Sequence, residues 1–473
     1  MKIKAVLLSI LDVGLLQVLS CVAVAATLQS LAQPASALTC PDPPPPTIAS
    51  SQPPGDVCIP SRFSGNPIAF FDDYSWRAFI AMVWPAEQGQ RGVPDPSKAV
   101  GLGSGPLVFE TFKADWEVFQ PDGHAPSPWG HFGDVPTNPC VADITTPGPN
   151  DLILASVSKF QNLGEAGFGN LVGPLVAQNK TYVRYMTSFN QLEFNKILGE
   201  ELFLRTNLAN GVTFPDGSID VKTSWIDMTN VSNPERFYTR KAWLMDLTKE
   251  RCSQATVGLV GMHIVQKTPS RSQWIWSSFE HVDNVPQPTP QNIGPATFNA
   301  GNGQPMPQRN PIAFPPPVTP PAPFNVDRVK PINPSTMQTN AAYRNALKDT
   351  VWAHYELVMT QWPLTSDPNA SGMPANTFPG TSDQSSAFAN TTLETFEQGS
   401  VFNSGCMRCH TLVQRKTDFL WSLEINAFPV PASTLAVSSL GAPHAMALRA
   451  TPGSAALRDL KSLLETATAP STK

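Results

Sequence analysis

The chain has 473 residues, a net charge of −5 and only 15% charged residues, and 49 of its residues are proline. This weakly acidic composition excludes a protein that binds nucleic acid or an anionic membrane through dense positive charge. The length is enough for two or three domains, and the hydrophobic fraction of 41% is sufficient for a buried core.

The N-terminus has the pattern of a secretory signal peptide, which we predict over 1–37. Two lysines within the first four residues precede an apolar run over 5–26, and the small residues Ala35-Ser36-Ala37 form a cleavage site. Asp12 would be unfavourable in lipid, which argues against an uncleaved anchor. We therefore expect a periplasmic or secreted protein of the bacterial envelope, without an integral membrane span after signal removal.

Residues 38–62 are proline-rich and predict an extended arm, because proline fixes φ and removes a hydrogen-bond donor. Four cysteines remain outside the C-terminal motif once the signal is removed, an even number that predicts two disulfides in an exported protein. Three pairings of these cysteines are possible. We expect the pairs Cys40–Cys58 and Cys140–Cys252.

The region 63–284 is predicted to form one α+β domain. Apolar residues at helical spacing predict helices over 75–85 and 107–119. An alternating strand over 181–189 precedes a helix that Asn190 caps and that extends to about 208. Short β-branched or aromatic segments between turn residues then predict an antiparallel sheet. These segments cover 217–228, 240–247, 255–268 and 273–283.

A proline-rich connector over 285–334 is either a flexible linker or an ordered arm that wraps the body. We expect 335–473 to be a small, mainly helical C-terminal domain that binds haem. In it, 340–363 reads as a helix that leads into a strand, and 454–467 as an amphipathic helix. Thr391 and Glu394 have the spacing of a capping box, with Thr391 as the N-cap.

The motif Cys406-Met407-Arg408-Cys409-His410 is the strongest chemical signal in the chain. In the CxxCH pattern, each cysteine sulfur adds to a haem vinyl group and the histidine reaches the iron. Helical spacing puts Cys406, Cys409 and His410 on one side of a turn. The motif predicts one covalent haem c, bound by both cysteines with His410 as an iron ligand.

Three other kinds of site can contain two cysteines at this spacing. A zinc site needs four ligands, usually as two pairs, and no second CxxC or HxxxH pair occurs. A thioredoxin-like dithiol needs a βαβ context that the flanking sequence lacks. A disulfide between Cys406 and Cys409 would close a strained loop. The haem reading is therefore preferred.

The second axial ligand decides between electron transfer and an open iron site. Met446 is the predicted ligand, with His444 as its neighbour and alternative. Upstream candidates are Met359, His354 and Met373, or the position is open. His263, His281, Trp274 and Trp276 either line a pocket or belong to a buried aromatic sheet, which is the favoured reading. His124 and His131 are expected at the surface.

Three stretches of the chain resemble a family of exported bacterial cytochrome c proteins. They are FIAMVWPAEQGQRGVPD from Phe79, the segment Val257–Pro286, and FANTTLETFEQ with the following CMRCHT. The resemblance extends over about residues 70–430 and implies a single haem held by Cys406, Cys409 and His410. It names no reaction. Members often end soon after a segment like TDFLWSLEINAFPVP, which weakens Met446 and His444 as ligands.

The expected function is that of a periplasmic mono-haem cytochrome that carries electrons to or from a redox partner protein. A haem enzyme with an open distal site, acting on a small molecule, is the first alternative. A haem-based sensor or binding module is the second. The sequence therefore leaves open whether the protein is an enzyme, and it assigns no catalytic residue.

Overall fold

The computed structural model describes residues 40–135, 143–144, 147–154, 173–246, 251–286, 296–312, 316–362, 390–398, 406, 410 and 413–429. The chain divides into two compact units. One comprises 1–42 with 60–62, and its described residues form neither helix nor strand. The other comprises 43–59 and 63–473 and contains every helix and strand named below. The predicted signal peptide over 1–37 lies outside the described residues.

The named elements of the described residues are given in chain order. The helices are α1 Ile68–Met82, α2 Asp115–Val118, α3 Gln191–Gly199, α4 Pro334–Ala346, α5 Gln414–Thr417 and α6 Trp421–Asn426. The strands are β1 Lys113–Ala114, β2 Leu152–Leu154, β3 Arg184–Phe189, β4 Ile219–Asp227, β5 Thr239–Asp246, β6 Arg251–Thr268, β7 Arg271–His281 and β8 Tyr355–Gln361. Single 3₁₀ turns occur at Val108–Thr111, Arg205–Leu208, Pro234–Arg236 and Val351–His354.

The described strands form one sheet in the order β1-β3-β4-β6-β5-β2, and β7 joins β6 to β8. The central strand β6 is 18 residues long. Its first half pairs with β5 and its second half with β7, while β4 lies along its other edge. All pairings are antiparallel except that of β2 with β5. The predicted, mainly antiparallel sheet is confirmed.

One face of the sheet carries the larger apolar core. Phe279 on β7 and Leu357 on β8 are paired and fully buried, and α1 packs over them. The ring centroids of Phe79 and Phe279 lie 4.4 Å apart. Trp76 stacks on Tyr343 of α4, with ring centroids 5.1 Å apart. The predicted helix over 75–85 is thus the second half of the longer α1.

Two helix predictions need correction. The segment 107–119 is not one helix, because Glu110 accepts a hydrogen bond from the N–H of Leu107 and Glu117 accepts one from Ala114. Two short turns result, separated by β1. The helix after Asn190 is capped as predicted, since the Asn190 side chain accepts from the N–H of Glu193 at 3.1 Å. It ends at Gly199, well before 208.

The described part of the connector is an ordered arm. Phe298 and Val326 are fully buried, and the Val326 N–H donates to the Phe298 carbonyl at 2.8 Å. The predicted passage from helix to strand over 340–363 is confirmed by α4 and β8. Because β8 pairs with β7, residues on both sides of the connector share the sheet. The domain boundaries stay predictions, and the predicted helix 454–467 lies outside the described residues.

Cys40 and Cys58 form the predicted disulfide. Cys252 is also disulfide-bonded, and its predicted partner Cys140 lies outside the described residues. None of the helices in the described ranges has both the length and the apolar character needed to cross a bilayer.

Candidate functional site

The C-terminal motif lies on the face of the sheet opposite α1. Cys406 and His410 are described and have helical backbone, whereas Cys409, His444 and Met446 lie outside the described residues. Cys406 is partly buried and packs against Val358 and Met359 of β8. Both described members of the motif therefore lie against the sheet, Cys406 at β8 and His410 beside Trp276 of β7.

Four strands present one row of side chains on this face. The registers pair Lys222 with His263, His263 with Ser278, and Ser278 with Met359. Side chains of directly paired residues project to the same side of a sheet. Trp276 lies two residues from Ser278, so it projects to this side too. The row is polar at β4 and β6 and apolar at Met359.

His410 is oriented by a backbone carbonyl. Its Nδ1 lies 2.6 Å from the carbonyl oxygen of Phe419, which accepts the Nδ1 proton. This hydrogen bond fixes the tautomer and leaves the lone pair on Nε2. Burial lowers the pKa of His410 to about 4. The hydrogen bond to Phe419 acts in the opposite direction but is the smaller effect. The imidazole is therefore neutral near pH 7, which is the form that binds a metal.

The His410 ring packs beside an aromatic surface. The centroids of the His410 and Trp276 rings lie 4.4 Å apart, with the planes inclined by 58°. Trp276, Phe419 and Leu423 belong to a cluster of buried apolar residues, against which Cys406 also packs. An apolar shell of this kind limits solvent access and lowers the local dielectric, both of which tune a metal site.

The Phe419 carbonyl is presented by a turn with unusual backbone geometry. Asp418 has φ 51° and Phe419 has φ 76°, both in the left-handed region that non-glycine residues seldom occupy. The Asp418 carboxylate anchors the turn: it lies 2.5 Å from Lys267 Nζ and accepts from the Phe214 N–H at 2.9 Å. Strain held by surrounding contacts is common where a group must be positioned for function.

A histidine–carboxylate pair lies near His410. His263 Nε2 is 3.2 Å from Glu394 Oε2. Burial favours a raised pKa at Glu394, but His263 and Lys222 outweigh it and lower that pKa. Lys222, His263 and Glu394 also act electrostatically on His410. Positive and negative charges therefore coexist beside the His410 ring.

The segment 390–398 is held to the sheet by side-chain hydrogen bonds. Asn390 donates to the Phe279 carbonyl at 2.8 Å, and the Thr391 hydroxyl donates to Glu280 at 2.9 Å. The predicted capping box is wrong in its N-cap, because the Thr391 hydroxyl is engaged by Glu280. Asn390 instead accepts from the N–H of Thr392 at 2.9 Å, and the segment forms turns.

The remaining predicted histidines have different surroundings. His281 is fully buried, its Nε2 lies 3.0 Å from the Arg236 carbonyl, and it stacks on Phe237 with centroids 3.8 Å apart. Burial lowers its pKa to about 4. It is a core residue, as favoured from the sequence. His124 and His131 are exposed, which confirms their predicted surface positions.

Several residues of the site carry no signal in the sequence. Lys222 and Glu394 reach the site only because β4 and the segment 390–398 meet there. The Phe419 carbonyl belongs to the backbone and has no side-chain motif. Its only local cue is the aspartate before it, because Asp tolerates the left-handed conformation better than most residues.

Among the side chains that the structure describes, no three His, Cys, Asp or Glu residues are grouped so that they could hold a metal ion. A haem iron differs from such a site, because the protein supplies only its axial ligands. No protein-family model, no curated protein and no solved structure matches the chain. The site is therefore interpreted from its own geometry.

Proposed function

We propose that the chain is a periplasmic mono-haem c-type cytochrome that transfers electrons. In this proposal Cys406 and Cys409 would hold the haem covalently and His410 Nε2 would bind its iron. The observation that carries it is the hydrogen bond from His410 Nδ1 to the Phe419 carbonyl. A metal-ligating histidine almost always donates its other ring N–H in this way.

The surroundings of the motif support the same proposal. The neutral His410 needs no deprotonation before it binds iron, since its pKa is about 4. Trp276 and the apolar cluster offer a surface suited to a flat hydrophobic ring. Bound haem would supply a one-electron couple between ferric and ferrous iron. The chain's residues would orient the ligand, exclude water and bury the ring.

Met446 remains the proposed second axial ligand. Met359 is the alternative among the described residues, because it is 3% exposed and packs with Cys406. The two differ in a spectroscopic test: substituting the true ligand with leucine removes the methionine–iron absorption, and substituting the other leaves it. A redox partner protein completes the proposed function.

A haem enzyme with an open distal site is the second candidate. The observation that favours it is the His263–Glu394 pair beside Lys222, since such a pair moves protons in many acid–base sites. Carbon monoxide separates the candidates. A closed site gives a low-spin spectrum that carbon monoxide leaves unchanged, whereas an open site shifts on binding. Reversible binding without turnover of any small substrate would instead indicate a sensor.

The attachment site is tested with the exported protein matured in a strain competent for c-type cytochromes. Wild type should keep a haem-stained band on a denaturing gel, and the double variant Cys406→Ser/Cys409→Ser should lose it. The double variant Cys40→Ser/Cys58→Ser is the matched control and should keep the stain. A stained band in the Cys406/Cys409 variant, or none in wild type, would overturn the proposal.

The axial role of His410 needs a separate variant. His410→Ala should retain the stained band while its low-spin spectrum is lost, and added imidazole should restore part of that spectrum. His124→Ala, at the exposed surface, is the control and should behave as wild type. An unaltered spectrum in His410→Ala would exclude this residue as ligand.

A further inference from the structure

Three buried carboxyl groups from different elements meet beside the His410 turn. They are Glu193 of α3, Asp220 of β4 and Asp418 of the turn between α5 and α6, and their exposed fractions are 0%, 8% and 7%. Burial raises the pKa of Glu193, and the charges of Asp220 and Asp418 raise it further. The protonation of Glu193 is therefore linked to the charges of Asp220 and Asp418.

Glu193 is the unusual member of this acid cluster. Both of its carboxylate oxygens are buried and have no hydrogen-bond partner among the described residues. Its backbone N–H, by contrast, donates to the Asn190 side chain. An isolated carboxylate is very costly in an apolar environment, so such a group exchanges a proton instead of holding a fixed charge.

The cations near the acid cluster are too few to neutralise three carboxylates. Lys267 of β6 forms an ion pair with Asp418, at 2.5 Å. Lys222 of β4 lowers the pKa of Asp220, but burial is the larger effect and raises that pKa to about 7. Lys113 lies over the Phe194 ring of α3 and is paired with Glu117 and Asp134. The cluster therefore changes its proton number close to neutral pH.

The acid cluster is connected to the proposed haem ligand in two ways. Asp418 directly precedes Phe419, whose carbonyl accepts the His410 proton. Lys222 acts electrostatically on both Asp220 and His410. Both groups therefore lie within the electrostatic range of one lysine, and in a medium of low dielectric a change of charge at the His410 site would also act on the acid cluster.

We propose that Glu193, Asp220 and Asp418 together take up one proton from solvent when the protein is reduced by one electron. The inference rests on the proposed function. The electron comes from the redox partner, and the proton from water converts one carboxylate of the acid cluster to a carboxylic acid. Reoxidation releases the electron to a redox partner and the proton to solvent. The protein would thus transfer an electron and a proton together.

The test is the reduction potential of the haem-loaded protein measured from pH 5 to pH 9. Uptake of one proton per electron lowers the potential by about 59 mV for each tenfold fall in proton concentration. Wild type should show this slope near neutral pH, and Glu193→Gln/Asp220→Asn should show almost none. Glu200→Gln, at an exposed position directly after α3, is the matched control and should keep the slope.

Infrared difference spectra of the reduced and oxidised protein provide a second readout. Wild type should gain a carboxylic acid band on reduction that shifts in heavy water, and the double variant should lack it. A haem-loaded wild type with a pH-independent potential overturns the inference and leaves the proposed function intact. A protein without haem overturns both.

Discussion

Asp72 of α1 is a buried carboxyl group held by hydroxyl donors. Thr336 donates to it at 2.7 Å and Thr360 at 2.9 Å, and the residue is fully buried. Burial raises its pKa from 3.8 to about 7, although the two hydroxyl groups oppose the rise. The folded protein therefore binds the Asp72 proton more tightly than the unfolded chain does.

The sign of this pKa shift gives a pH-dependent prediction. The stabilising contribution of the Asp72 proton is complete below pH 4 and is lost as the pH rises through 7. Wild type should therefore lose about 4 kcal/mol of unfolding free energy between pH 4 and pH 8 relative to Asp72→Asn. The variant lacks this loss because Asn cannot ionise. Urea unfolding at both pH values measures it. Asp216→Asn, at the surface, should show no comparable change.

Arg328 neutralises two buried glutamates near the segment 390–398. It pairs with Glu280 and lies 3.7 Å from Glu356, and the Arg328 and Glu280 side chains are 3% and 1% exposed. Arg328→Met should lower the free energy of unfolding by about 3–5 kcal/mol, because it leaves a buried carboxylate without its cation. Chemical denaturation measures this loss.

The matched control for Arg328 is Lys196→Met. Lys196 pairs with Glu200 at the surface of α3, where both side chains remain partly solvated. Its loss should change the free energy of unfolding by no more than about 0.5 kcal/mol. Equal effects of the two substitutions would contradict the structural role given to Arg328.

Gly261 of β6 lets the segment 390–398 approach the sheet. A Cβ at this position would lie 2.4 Å from Thr392 Oγ1 and 2.6 Å from Ser224 Oγ. Gly261→Ala should therefore displace the segment and lower the free energy of unfolding by about 1–3 kcal/mol. It should also perturb the spectrum of the haem-loaded protein, since Glu394 acts on His410 from this segment.

Gly130 offers a control for that substitution, because a Cβ there would meet nothing within 4 Å. Gly130→Ala should leave both the stability and the spectrum almost unchanged. A wild-type spectrum in Gly261→Ala would show that the segment 390–398 has no part in shaping the site.

Local sequence patterns correctly predict the strands and the helix cap that depend mainly on neighbouring residues in the chain. The alternating residues of β6 and β7 and the cap at Asn190 lie where the sequence places them. The segment 107–119 departs from its pattern, because Lys113 and Ala114 pair with β3 and interrupt the helix. Contacts between residues 74 and 76 positions apart leave no trace in local periodicity.

The candidate site likewise contains residues that the sequence identifies and residues that only the fold brings there. Cys406, Cys409 and His410 are recognised by their spacing alone, whereas the Phe419 carbonyl that His410 contacts is known only from the fold. Lys222, Glu394 and Asp418 were not predicted, because distant elements bring them together. The charges around His410 and the burial of its ring therefore cannot be predicted from local sequence and follow only from the three-dimensional fold.

At the scale of the whole molecule, the proposed export and the proposed function are linked. A version without 1–37, made in the cytoplasm, should carry no covalent haem and should keep Cys40 and Cys58 reduced, because that compartment maintains thiols. Haem staining and thiol titration against the full chain in the same strain measure both. A stained band from the truncated protein would contradict the assignment of 1–37 as an export signal.

The segment that carries His410 is closed by main-chain hydrogen bonds at its far end. The Phe428 N–H donates to the Phe203 carbonyl and the Arg205 N–H to the Phe428 carbonyl, each at 2.7 Å. The Phe428 ring, however, fills the space where a side chain at Gly123 would lie, 2.4 Å from a Cβ. Evolutionary drift at 428 should therefore be coupled to drift at 123, because a side chain at 123 requires a smaller residue at 428.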